Sequence, residues 1–142
     1  MKLSSRASLW INRAVLAATT LIFTMIGLRY IADPVRASAA TGVTLSRGLA
    51  VTTTRVGFGA FPLAFAVFTL TCLLSQRRQR AGVILVLTVM TTAIVVRLVS
   101  MAADGAVAES SRLFIPEGLI FLLSCAGLLL DSARLRQPGG IA

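Results

Sequence analysis

Six ionisable residues stand inside or at the edges of long apolar stretches: Arg29, Asp33, Arg55, Arg97, Asp104 and Glu117. Their types suit a narrow range of chemistry. A guanidinium offers a planar fork of donors to an anionic headgroup, a carboxylate or a quinone-like oxygen. Glu117 is a candidate for proton handling. Burial and neighbouring arginines act on such a carboxyl in opposite directions, and the sequence alone does not rank them. Other templates fail. With no histidine, a Ser-His-acid triad is excluded. Gly57-Phe58-Gly59 lacks a third glycine at phosphate-loop spacing and lies in an apolar block, which excludes nucleotide binding. Thr52-Thr53-Thr54 reads as solvation of a helix start beside Arg55. Cys72 and Cys125 fall in separate apolar blocks at different depths, so no disulfide joins them and both read as small packing groups. Without a CxxC or an acidic cluster at ligand spacing, no metal and no cofactor is expected.

The elements that must hold these residues are membrane spans. Of 142 residues, 56% are hydrophobic and 13% charged, against about 45–50% and about 25% in an ordinary soluble domain. The mean hydropathy is +0.87. The apolar residues form blocks rather than amphipathic stripes, and crossing a hydrocarbon core of about 30 Å takes roughly 20 residues of helix. Four blocks meet that requirement, over about residues 9–31, 49–75, 81–101 and 112–131. The expected fold is an all-α integral membrane four-helix bundle, one domain over 1–142 with a disordered tail at 135–142. The net charge of +9 does not indicate nucleic acid, because the basic residues cluster at block ends instead of forming one face.

Local signals set the boundaries. Ala37-Ser38-Ala39 resembles a signal-peptide cleavage site, but Arg29, Asp33 and Pro34 separate it from the first apolar core, which favours a retained helix. Asp33-Pro34 ends that span and, as N-cap and first helical residue, can open a short surface helix over 34–40, closed by Gly42. Pro62 should kink the second span. On that span Arg55, Gly59, Pro62 and Ala66 share a face where small residues admit a neighbouring helix. Gln76-Arg77-Arg78-Gln79-Arg80 forms a basic turn, 102–111 a loop, and Pro116 falls near the first turn of the last span.

Orientation follows from the basic flanks. Lys2, Arg6, Arg13, Arg77, Arg78, Arg80, Arg134 and Arg136 lie on one side, against Arg29, Arg36, Arg47 and Arg112 on the other. Both termini are therefore expected in the cytoplasm, with the protein in a bacterial cytoplasmic (inner) membrane. On this topology all six ionisable residues collect in one layer toward the extracytoplasmic face. Arg29 and Asp33 are four apart, and Arg97 and Asp104 seven apart, so each pair can share a helix face if the helix persists. Glu117 shares a face with Ser124 and, roughly, Cys125. Charges inside the bilayer cost about 2.5–3.5 kcal/mol each on insertion scales and usually face the interior and pair.

Four motifs recur together: Gly27-Leu28-Arg29-Tyr30 with Asp33-Pro34; Arg55-Val56-Gly57-Phe58-Gly59; Arg97-Leu98-Val99-Ser100 with Asp104-Gly105; and Glu117 opening the last span. Over about residues 9 to 131 the chain resembles a bacterial family of small four-span membrane proteins known only as a domain of unknown function, and more distantly the DoxX-type membrane proteins. The resemblance implies a four-helix membrane bundle with the outer-end charges as signature residues. It implies no reaction. Ala60 departs from the pattern, standing where a Gly-Gly step is expected.

Two readings of the charge cluster remain open. In the first, the protein is non-enzymatic and the arginines line an outward polar pocket for a small anionic or lipid-like ligand. In the second, Arg55, Arg97 and Glu117 pair internally to set helix register, and the protein is a structural or accessory subunit of a larger membrane complex. A membrane enzyme or transporter working through Glu117 is a third, weaker reading. Expected partners are the lipid bilayer, such a ligand, and a membrane protein or further copies of the chain; nucleic acid is not among them.

Overall fold

In hydrocarbon a backbone must satisfy its own N–H and C=O groups, and a single apolar segment does so as a helix. In the computed structural model, which describes residues 2–46, 48–105 and 107–135, every regular element among the described residues is helical. Helix α1 covers Lys2–Ala32, α2 Pro34–Ala39 and α3 Leu49–Thr54. A π-helical segment, Arg55–Ala60, joins α3 to α4, Phe61–Leu73. Helices α5, Gln79–Asp104, and α6, Val107–Leu135, complete the chain. Among the described residues, four stretches are long and apolar enough to cross a membrane: Ala7–Ala32, Leu49–Leu73, Gln79–Asp104 and Phe114–Ser132. Large apolar side chains stay exposed along them, among them Met25, Phe61, Val99 and Leu122. That surface is costly in water and suited to lipid. The chain is an all-helical, multi-pass membrane protein.

It divides into two compact units, Ala17–Thr71 and the pair of segments Met1–Leu16 with Cys72–Ala142. In the first unit, glycine sets how closely two helices approach. A Cβ on Gly27 would lie 2.5 Å from Leu63 Cγ and 2.8 Å from the backbone oxygen of Gly59; one on Gly59 would lie 2.7 Å from Ile31 Cγ1. The backbones of α1 and the π-helical segment therefore meet with nothing between them, as small-residue crossings allow. Phe23 packs edge-on to Phe65 with ring centroids 4.8 Å apart, and Thr20 and Thr69 share a hydroxyl hydrogen bond of 2.8 Å. Gly59 and Ala66 are both buried, as their spacing predicts.

Cap chemistry shapes the connection. Asp33 ends α1 and caps α2: its Oδ1 accepts the Arg36 backbone N–H at 3.0 Å, with Pro34 as the first helical residue. After α2 the chain turns at Gly42, whose φ of 79° is readily adopted only without a Cβ.

In the second unit α5 and α6 pack side by side, with Val83, Val86, Met90 and Ile120 buried. Gly82 admits Cys72, whose Cβ would lie 2.6 Å from an added methyl. Gly127 does the same for Asn12: a Cβ there would collide with the Asn12 Oδ1. The turn before α5 is tied by Gln79, which donates from Nε2 to the Leu73 carbonyl at 3.3 Å. Arg80 and Asp131 form an ion pair of 3.8 Å at the same end of these two helices.

Three expectations need correction. No loop fills 102–111. Ala102 and Ala103 are good helix formers, so α5 continues to Asp104, and Gly105 stops it in the left-handed conformation (φ 70°), its N–H reaching the Met101 carbonyl. Pro116 does not mark the first turn of the last helix, because α6 already starts at Val107 and Pro116 lies inside it. The basic turn is also shorter than expected, since Gln79 and Arg80 belong to α5. Arg47, Arg136 and tail residues 136–142 lie outside the described residues.

Candidate functional site

Among the described residues, a two-point ion pair inside the apolar spans joins α5 to α6. Arg97 stands seven residues before the end of α5, and Glu117 directly follows Pro116 in α6. Arg97 donates from Nε to Glu117 Oε2 at 2.8 Å and from Nη2 to Oε1 at 2.5 Å. This two-point fork matches the planar guanidinium to the carboxylate and fixes the rotation of both. The side chains are 23% and 21% exposed. They are neither sealed in a core nor free in solvent. Behind Glu117 on α6 lie buried Ile120 and Ser124, whose hydroxyl returns to the Ile120 carbonyl at 2.7 Å. Glu117 thus sits on the inward side of α6, as its spacing to Ser124 predicts.

Glu117 occupies only one edge of the guanidinium. Among the described residues, the Nη1 side has no protein acceptor. Arg97 also lines an open cavity of about 610 Å³ along α5, together with Thr88, Val89, Thr92, Ala93, Val96 and Ser100. One side chain therefore belongs to both an ion pair and a groove.

The remaining expected site residues divide between the units. Asp104 shares α5 with Arg97; it is exposed and makes no ion pair among the described residues. Arg29, Asp33 and Arg55 lie in the other unit, all exposed. Arg29 and Asp33 are linked by the backbone, Asp33 N–H to the Arg29 carbonyl at 3.1 Å, and the Asp33 carboxylate is used as a helix cap. Arg55 opens the π-helical segment. The ring of Pro62 lacks an N–H and crowds the carbonyl four residues earlier, Phe58. The preceding turn widens by one residue, so that the Phe61 N–H bonds the Val56 carbonyl, five residues back. Pro62 is accommodated by this change of register. Arg55 is exposed and Gly59 buried, although their spacing places them on one face of a regular α-helix.

Some polar residues escaped the sequence reading. Asn12 is buried, and its Oδ1 has no hydrogen-bond partner among the described residues. Asp131 pairs with Arg80, and Gln79 is buried in the turn it ties. An amide near the start of the first apolar block was the available signal for Asn12. No three His, Cys, Asp or Glu among the described residues converge as a metal site.

No curated protein and no solved structure matches the chain. A family model described as a domain of unknown function, DUF4345, matches residues 11–127. That stretch contains all six ionisable residues singled out above, the Arg97–Glu117 pair and the Gly27–Gly59 crossing. On this match the chain belongs to the DUF4345 family, a domain of unknown function.

Proposed function

We propose that this protein is a non-enzymatic, multi-pass inner-membrane protein that binds a small anionic or lipid-like ligand through Arg97, with Glu117 holding the guanidinium in place. The observation that carries this reading is the double use of Arg97. Its Nε/Nη2 edge is committed to Glu117, while the same residue lines the open groove on α5. A fixed cation whose Nη1 edge meets no acceptor among the described residues, inside an apolar span, is suited to an anionic oxygen. With both termini in the cytoplasm, α5 runs outward and Arg97 lies toward the extracytoplasmic face. The excess of basic residues flanking the N-terminus, the 74–78 turn and the end of α6 supports that orientation.

Native mass spectrometry of gently solubilised protein tests the binding claim. Wild type should carry a bound species that a folded Arg97→Gln variant lacks. A wild type that flies empty sinks the reading. Reporter fusions at each terminus check the orientation, and an extracytoplasmic signal at either end contradicts it.

A second reading is favoured by the closed geometry of the ion pair: the charges serve register, and the protein is an accessory subunit of a larger membrane complex. Recovery of wild type in a defined complex, with no bound small species, would support it.

A further inference from the structure

The groove on α5 has a polarity along its length that narrows the ligand class. It runs from Thr88 to Ser100, a helix length of about 18 Å at 1.5 Å per residue. Two threonines in its wall are not free donors. Thr88 Oγ1 donates to the Ile84 carbonyl at 2.9 Å and Thr92 Oγ1 to the Thr88 carbonyl at 3.0 Å. Each hydroxyl proton is spent on its own helix, so these side chains present chiefly methyl groups to the groove. Val89, Ala93 and Val96 add apolar wall, and the small Ala93 side chain leaves the middle open. Among the described lining residues the charge is Arg97, near one end of the groove and about 10 Å along the axis from the end of α5 at Asp104. A charge near the membrane surface, with an apolar trough leading toward mid-span, follows the same order as a lipid in its own leaflet.

We infer that the groove takes an anionic amphiphile with a long acyl chain, its carboxylate or phosphate on the free edge of Arg97 and its chain lying along α5 between Val96 and Thr88. This rests on the binding reading above and restricts it: a compact polar anion would leave the trough empty. Charge complementarity selects the headgroup, and the apolar wall from Val96 to Thr88, about 12 Å of helix, favours a chain over a compact anion.

The test uses the full-length protein in nanodiscs and a photoreactive palmitate analogue, with crosslinks located by peptide mass spectrometry. Labelling should concentrate on residues 88–100. Palmitate should compete at least about tenfold better than hexadecanol, which lacks the charge, and than hexanoate, which lacks the chain. Ala93→Phe, which fills the middle of the trough, should lower labelling about tenfold while leaving helicity and monodispersity unchanged; Val96→Phe serves if that variant does not fold. Labelling spread evenly over all the spans, or unchanged by either variant, overturns the inference. Hexanoate competing as well as palmitate, with the competition lost in Arg97→Gln, would overturn the chain assignment and leave the anion site standing. A preference for palmitate over hexadecanol that survives Arg97→Gln would overturn the anion site itself.

Discussion

Arg97 and Glu117 meet edge to edge across α5 and α6, with two hydrogen bonds of 2.8 and 2.5 Å that use one side of the guanidinium and both carboxylate oxygens. Such a fork fixes the rotation of both side chains, which a single contact would leave open. It also fixes which edge of Arg97 is left over.

Removing one partner leaves a charge stranded in an apolar span. Glu117→Gln should destabilise the protein by about 3 kcal/mol, and Arg97→Leu with Glu117→Leu should recover most of that loss. Unfolding in mixed micelles with increasing denaturing detergent measures both. A double variant no more stable than the single one would mean that the pair's energy lies elsewhere.

The crossing of α1 with the second span ranks three glycines. Gly27→Ala meets a backbone oxygen that cannot move cheaply, and should cost about 1–3 kcal/mol. Gly59→Ala meets Ile31 Cγ1, with backbone atoms no nearer than 3.4 Å, and should cost less, while Gly57→Ala has nothing within 4 Å and should stay within about 0.5 kcal/mol. The same unfolding assay reads the order, and equal losses at Gly27 and Gly57 would contradict the crossing.

Asn12 and Gly127 should be coupled. Gly127→Ala drives a methyl into the Asn12 side-chain oxygen, and Asn12→Ala removes that obstacle. A double-mutant cycle should give an interaction of about 1 kcal/mol or more in favour of the pair of changes. Additive losses would show that the two residues do not touch.

Asp33→Ala should free the α2 amide that the carboxylate now holds, at a cost of about 1 kcal/mol, with Asp33→Ser retaining most of the cap. Faster hydrogen exchange at Arg36, confined to the first turn of α2, is the expected sign. Unchanged exchange there would remove the cap from the account.

Legibility in the sequence followed the range of each interaction. The four spans were readable because apolar blocks need only length, and the Asp33-Pro34 cap because its chemistry is complete within four residues. Gly59 and Ala66 were readable as a small-residue face, although their partner Gly27 was not. The partner of Glu117 was not decided either: Arg55 and Arg97 were both candidates, and only the packing of α5 on α6 selects Arg97. The π-helical segment was hidden because Pro62 announces a disturbance without stating how the preceding turn absorbs it. The extra length of α5 was missed because Gly105, the residue that stops it, was read together with its neighbours as a loop. Asn12 was overlooked because an amide near a span end reads as interfacial until a glycine on another helix is found against it.

The most direct measurement is ligand occupancy in a charge-swapped protein, Arg97→Glu with Glu117→Arg, compared with wild type by native mass spectrometry after its stability has been confirmed. The swap keeps an ion pair between α5 and α6 but moves the cation off the groove. A folded variant close to wild type in stability that has lost its bound anion is expected. A folded swap variant that keeps the same bound species would contradict the assignment of Arg97 as the anchor.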